Sequence, residues 1–267
     1  MPQVSTSARS LLETITRSWA FRRRLPSSFN NVPIIVSPSG GLKYLFRSMS
    51  MIDPPLLRNV QEVVRPGDVV WDIGANVGLF TFAAAALSGT DGQIVAFEPD
   101  AWLVQLLRRS RALQPQETGS ITIIPAAVAS QVALRQFRIA RRSRASNSLA
   151  GYGHTQTGGA LEEYTVPTFN LDWLASILPT PHVIKCDVEG AEIEVFKGQS
   201  KMLGEVRPIV VCEVGSETSA EITKILRGYK YKIYDGKKPL VGSQETSFAC
   251  WNTVGIPEER SEKYVKA

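Results

Sequence analysis

The sequence predicts an α/β fold built on an open parallel sheet, and three observations predict it. Apolar strand-like runs alternate with helical patterns from residue 69 to residue 212. The first run ends in a glycine turn, VVWDIGANVG at 69–78, which opens directly into an apolar helix at 79–87. Strand ends also carry acids: Asp72 near the end of the first, Glu98 and Asp187 after later ones, and Glu213 after another. In an open parallel sheet ligands bind at the carboxyl ends of the strands. A row of carboxylates along that edge therefore marks a site. One such acid could cap a helix, but capping alone does not explain four.

The chain has 267 residues and is 43% apolar, enough for a full core in one α/β domain with a smaller appendage. With 30 basic and 25 acidic residues the net charge is +5, mildly basic rather than the footprint of a dedicated nucleic-acid binder. Arginines cluster at 22–24, 108–111 and 135–144, each cluster read as a solvated face. Three scattered cysteines with no CxxC pair argue against a disulfide framework and against structural zinc. No stretch approaches the roughly 20 apolar residues of a membrane span. The N-terminus lacks the basic-then-apolar pattern of a secretory signal, so a cytoplasmic protein is expected.

Residues 1–65 read as an N-terminal extension and 66–267 as the main domain. Leu11, Leu12, Ile15 and Trp19 share one helical face, followed by Arg22–Arg24 and a Pro/Ser/Asn-rich break at 26–31. Such a helix packs on its own domain or on a second copy in a homodimer. A membrane surface or an organelle transit signal are the other readings. Short strands are expected at 32–36 and 42–46. Asp53 caps a helix with Pro54 at its first position. Further strands follow at 94–97, 121–129, 183–186 and 209–212, with helices at 101–113 and 171–178. Residues 132–139 and 163–168 pair in a small side sheet. The Arg/Ser/Gly-rich stretch 141–159 reads as a lid or as disorder, its Arg141, Arg142 and Arg144 either facing an anionic substrate or solvated. Two tail strands, 229–234 and 248–254, without a helix between them suggest an antiparallel edge pair.

The turn at 72–78 is not G-x-G-x-x-G. An acid two residues before the first glycine repels a pyrophosphate, which counts against NAD and FAD. It suits a cationic nucleoside with an amino-acid end, and S-adenosylmethionine is one. Glu98, 20 residues past Gly78 at the tip of the second strand, is placed to take ribose hydroxyls.

VVWDIGANVG at 69–78, IVAFEPD at 94–100, and VIKCDVEGAEIEVFKG at 183–198 preceded by TFNLDWL at 168–174 resemble the FkbM-type methyltransferases, from about residue 66 to 214. The resemblance implies a Rossmann-like, seven-stranded, mostly parallel sheet of the class I methyltransferase type with an antiparallel last hairpin. It implies methyl transfer from S-adenosyl-L-methionine to an oxygen, as in tailoring of natural products or sugars. Residues and resemblance agree on roles. Gly74, Ala75 and Gly78 let the backbone close over the methionine end. Asp72 anchors the amine, and Asn76 assists or caps the helix. Glu98 takes the ribose. Residues 126–128 read Ala-Ala-Val, where an acidic or polar adenine contact is common in the wider class, so a backbone contact from Ala127 or Val128 serves. Asp187 and Glu189 are the candidate base or orienting groups, although Glu189 could instead begin the next helix and satisfy its dipole. Lys185 has an acid in reach. His154 is a distant candidate base and His182 a surface residue. A metal would need a third ligand beside Asp187 and Glu213, and none is visible, so no metal is expected.

The expected partner is a small-molecule hydroxyl acceptor. Two other readings stay open. The arginine clusters suggest a nucleic-acid methyltransferase, but base methylation of amino groups typically uses an Asn/Asp-Pro-Pro-aromatic motif, and the sequence has none. The other is a binding or scaffold protein that kept the fold and lost turnover, and the intact Asp72, Glu98 and Asp187 argue against such decay.

Overall fold

The computed structural model describes residues 15–153 and 159–266. The leader helix expected over the first residues falls largely outside them, as does His154. The 22–24 basic cluster is not a helix end. It lies in strand β1 (Phe21–Arg24), paired antiparallel with β2 (Pro33–Val36). All four residues of β2 are buried. Residues 42–46 form the short helix α1 (Lys43–Phe46) rather than a strand. Leu42, Tyr44 and Phe46 alternate for only five residues, too short a window to separate a strand from a helical turn, and β1 already pairs with β2. Helix α2 (Pro54–Val63) is capped as expected, Asp53 Oδ1 accepting from the Leu56 N–H at 3.1 Å.

The main sheet begins with β3 (Val69–Ile73), followed by helix α3 (Leu79–Ser88), β4 (Gln93–Phe97), helix α4 (Ala101–Arg111) and β5 (Ser120–Ile124). The single long strand expected at 121–129 is broken at Pro125, which has no N–H to extend the ladder. The chain leaves as β6 (Ala127–Val128), which pairs parallel with residues 168–169 in the side sheet. That sheet holds β6, β7 (Ala133–Ala140), β8 (Ser148–Leu149) and β9 (Ala160–Phe169), with β7 and β9 paired as predicted and antiparallel. The described part of the Arg-rich stretch is therefore ordered structure, a single helical turn at 144–146 and then β8. Next come the short helix α5 (Leu171–Leu174), β10 (Val183–Cys186), α6 (Glu192–Phe196), β11 (Ile209–Glu213), α7 (Ser219–Gly228), β12 (Tyr231–Asp235), β13 (Asn252–Pro257) and α8 (Glu258–Val265).

The seven strands run in the order β12-β13-β11-β10-β3-β4-β5. The five from β5 to β11 are parallel, and β13 is antiparallel to both β11 and β12. This is the Rossmann-like, seven-stranded, mostly parallel sheet expected. The period-2 alternation of strands divides the core. Val70, Ile94, Ile123, Val183 and Val211 face α3, α4 and the N-terminal segment. Trp71, Ile73, Val95, Phe97, Ile184, Cys186 and Cys212 face the other side, with α5, α6 and α7. Cys186, Cys212 and Cys250 are all unpaired thiols. The N-terminal segment is sewn onto α4: the Ile35 N–H donates to Ser110 Oγ (2.7 Å) and Gln114 Nε2 to the Pro33 carbonyl (2.7 Å). Among the described residues no helix is long and apolar enough to cross a membrane.

Candidate active site

The strand tips are fixed against one another before any side chain is considered. The Asp187 N–H donates to the Ile73 carbonyl (3.1 Å), the Glu98 N–H to Ile124 (3.1 Å) and the Val214 N–H to Trp251 (3.0 Å). The acids at these tips therefore converge on one edge. The turn after β3 is braced on β4, the Gly74 and Ala75 N–H groups both donating to the Phe97 carbonyl at 3.0 Å. Gly74 has φ +75°, and an added Cβ would lie 1.9 Å from the Asp187 carbonyl oxygen. Its glycine thus serves the close approach of turn and strand β10. Gly78 (φ +89°) sits against Phe82 and Leu107, so it packs helix α3 onto α4 rather than lining a cavity.

Three adjoining cavities open along this edge. The first, with about 580 Å³ of empty space, is lined by Gly74, Asn76, Glu98, Ala127, Val128, Asp187 and Glu189 among others. Seven of the ten residues singled out in the sequence meet there. Its apolar walls are Phe97, Phe137 and Leu149. A second cavity of about 650 Å³ lies beyond Glu189, and a third of about 680 Å³ runs between the turn and the N-terminal segment, where Ala75 lies. Asp187 and Glu189 line all three.

Glu98 is 4% exposed, and its two oxygens accept the N–H groups of Asn76 (2.8 Å) and Asp100 (2.9 Å). Burial, with help from the Asp100 charge, pushes its carboxyl up to about 8 despite those two donors. Asn76 stands in the left-handed region (φ +54°), and its buried Oδ1 has no hydrogen-bond partner among the described residues.

Asp72 does not reach the first cavity. It is fully buried and lies opposite Lys185 in the β3–β10 register. Thr81 Oγ1 donates to its Oδ2 (2.5 Å), and Lys185 Nζ lies 3.2 Å from its Oδ1. The reason is alternation: Asp72 shares its face with Val70, beneath α3. Lys185 also donates to the Gly74 carbonyl (2.7 Å) and stands 3.7 Å from Asp187 Oδ2. It is the internal cation that holds the turn and two acids together. Facing these acids from its buried position, its ammonium is held above its ordinary range.

Glu189 does not begin the next helix. The helix begins at Glu192, whose Oε1 accepts from the Gly190 N–H just ahead of it at 2.9 Å. Glu189 itself has φ +54°, a conformation that costs a non-glycine residue about 1 kcal/mol or more, and such strain clusters at functional sites. Burial first, then the charges of Asp187 and Glu213, push its carboxyl above the usual range. Glu213 is raised in the same way. His182 lies at the opposite, amino end of β10, exposed, its Nδ1 accepting from the Val69 N–H (2.9 Å).

The sequence did not reveal what closes the first cavity. Asp100 Oδ1 caps α4, accepting from the Trp102 N–H at 2.8 Å, while its Oδ2 accepts from Asn147 Nδ2 (2.7 Å) and from the Arg144 guanidinium. One carboxylate thus starts a helix and ties residues 144–147 over the site. Arg144 is therefore spoken for, rather than free for an anionic ligand. The only advance signal was an acid just ahead of a helix. Asp100→Asn, which keeps the cap, is expected to cost about 1 kcal/mol, and Asp100→Ala about 2 kcal/mol by urea unfolding. An Asp100→Asn protein as stable as wild type would show that the Arg144 tie contributes nothing.

Residues 72–233, more than half of the chain, match the family described as the Methyltransferase FkbM domain. The hexuronic acid methyltransferase AglP of Haloferax volcanii is 28% identical over 179 residues, covering 64% of this chain and 69% of that protein. Among solved structures, a methyltransferase FkbM from Methylobacillus flagellatus is 16% identical with a TM-score of 0.45, over 74% of this chain and 49% of that one. A precorrin-6y C5,15-methyltransferase from Geobacter metallireducens is 16% identical with a TM-score of 0.40, over 80% and 88%. This chain thus spans about half the length of the first of those structures. With its sheet order, glycine turn and acidic edge, the chain belongs to the FkbM methyltransferase family.

Proposed function

We propose that this protein is an S-adenosylmethionine-dependent methyltransferase that modifies a hydroxyl oxygen of a small molecule, a sugar foremost. The observation that carries the reading is that Asp187 and Glu189 stand where all three cavities meet. The name of the Haloferax relative supports a sugar as acceptor.

The residues present fit the donor. The first cavity offers apolar walls for a base, backbone at Ala127 and Val128 beside them, and a buried carboxylate for a diol. The unpartnered Asn76 Oδ1 offers an acceptor for the amine, in the role that sequence spacing gave to Asp72. Asp187 lies at the same mouth. Bound there, the donor supplies a methyl carbon made electrophilic by its sulfonium. The chain's own work is then positional. Gly74, Ala75 and Gly78 shape the turn, Lys185 fixes that turn to β10, and the loop tied by Asp100 keeps water out. A hydroxyl must lose its proton as it attacks, and Glu189, with Asp187 beside it, is the acceptor for that proton.

Glu98 makes the donor step pH-dependent. The free protein holds this carboxyl at about 8, so near pH 7 it is mostly protonated. Two ribose hydroxyls donate best to the ionised form, so binding releases a proton. Donor affinity is therefore expected to rise about tenfold per pH unit up to about pH 8 and to level off above it. Calorimetry in buffers of different ionisation heat reads the released proton. Glu98→Gln should abolish the slope, and a wild-type affinity flat from pH 6 to 8 counts against the ribose role. Turnover is tested with methyl-labelled donor and a panel of glycosides. Failure of the intact protein to bind the donor would end the methyltransferase reading.

A further inference from the structure

The second cavity has a chemistry of its own. Tyr152, Glu189, Glu192, Glu213, Glu217 and Trp251 stand around it, together with Asp187, Thr218 and four glycines. Among its described lining residues there are five carboxylates and no lysine, arginine or histidine. Glu192 is 3% exposed, and while its Oε1 is held by the Gly190 N–H, its Oε2 has no hydrogen-bond partner among the described residues. A buried carboxylate oxygen left without a donor beside a cavity is an acceptor waiting for one. Trp251 is 51% exposed. Its backbone is fixed, the carbonyl accepting from the Val214 N–H, and the residue lines the cavity.

An aromatic face beside hydrogen-bond acceptors matches one ligand class well. The C–H face of a sugar ring stacks on the indole, while its hydroxyls donate to the carboxylates. A ring that carries its own carboxylate would meet five carboxyl groups and, among the described lining residues, no cation to pair with. A ring with an ammonium group would be welcomed.

We propose that this cavity is the acceptor subsite, that Trp251 is its stacking platform with Glu192 and Glu217 as hydroxyl acceptors, and that it selects a sugar ring without negative charge and rejects hexuronates. The proposal rests on the methyltransferase reading only for what happens to the bound sugar, not for its binding. It sets this chain apart from the relative named for hexuronic acid.

The test uses the full chain and three probes: the methyl glycosides of a neutral hexose, of a 2-amino-2-deoxyhexose and of a hexuronate. Saturation-transfer NMR at pH 7 should show the neutral and amino glycosides binding at least tenfold more tightly than the hexuronate. Trp251→Ala should weaken them at least tenfold, and Trp251→Phe should retain most of the binding. A thermal melt checks that each variant is folded. Glu217→Lys, at an exposed rim position, should narrow the discrimination against the hexuronate about tenfold. Hexuronate binding equal to or tighter than the neutral sugar would overturn the proposal. So would Trp251→Ala binding like wild type, or no binding of either uncharged or amino glycoside. Calorimetry with S-adenosylmethionine on the same samples separates the two levels. Donor binding without the sugar pattern defeats this assignment alone. The Trp251-dependent sugar pattern without donor binding sustains the assignment and defeats the methyltransferase reading.

Discussion

Gly74→Ala is expected to cost about 3 kcal/mol or more and to remove donor binding with it. Two effects add. At φ +75° a Cβ is strained by about 1 kcal/mol wherever it stands. Here the Cβ would also lie 1.9 Å from the Asp187 carbonyl oxygen, a backbone atom that cannot rotate away. Turn and strand must separate, and overpacking of that kind costs about 1–3 kcal/mol. The separation strains the Asp187-to-Ile73 hydrogen bond and the Lys185 contact with the Gly74 carbonyl. Two controls isolate the clash. Gly67 has φ +80° with nothing within 4 Å of an added Cβ, so Gly67→Ala should lose only the backbone part, about 1 kcal/mol. Gly78→Ala meets side-chain carbons of Phe82 and Leu107, which can yield, and should fall between. Urea unfolding of the three variants gives the order Gly67, Gly78, Gly74 from mildest to worst. A Gly74→Ala protein as stable as Gly67→Ala would show that the close approach is not rigid.

The same glycine shows what a sequence can and cannot disclose. That a turn stood at 72–78 was legible, because a strand, two glycines and an apolar helix are local features. What the first glycine is for was not, since its neighbour Asp187 lies more than a hundred residues away and belongs to another strand. Asp72 teaches the complementary point. Spacing from Gly74 suggested a ligand contact, whereas strand alternation, equally present in the sequence, puts Asp72 on the face of Val70 beneath α3. There it meets Lys185, whose need for an acid was readable. The strand-tip acids Glu98, Asp187 and Glu213 and the side-sheet pairing were legible because each follows from a short pattern. The tie from Asp100 to Arg144 and Asn147, the strand at Phe21–Arg24 and the seat of Trp251 were not. Each depends on a partner chosen by tertiary packing.

Glu189→Gln is expected to lower kcat by about 10² to 10⁴ while leaving donor affinity within a few-fold, because general-base catalysis contributes about that much and Gln keeps the size and hydrogen bonding of the side chain. The pH profile carries the sharper signature. Burial and the charges of Asp187 and Glu213 raise the Glu189 carboxyl, so the acid limb of kcat, measured with both substrates saturating, should lie above the ordinary carboxylate range. Saturation matters, since it removes the Glu98 contribution to binding and leaves the chemical step. A raised pKa makes Glu189 a stronger base for a hydroxyl proton, at the expense of the fraction ionised below it. Neutralising a neighbour has a definite sign. Asp187→Asn or Glu213→Gln withdraws a like charge, ionisation of Glu189 becomes easier, and the acid limb should move to lower pH. An orienting carboxylate would lose kcat on substitution without this displacement, and a limb that stays put in both variants would assign the base elsewhere. Asp187 stands 3.7 Å from Lys185, so its substitution also frees that cation to pair with Asp72 alone. Glu213→Gln shifts the limb without touching that contact, so agreement between the two variants isolates the electrostatic effect on Glu189.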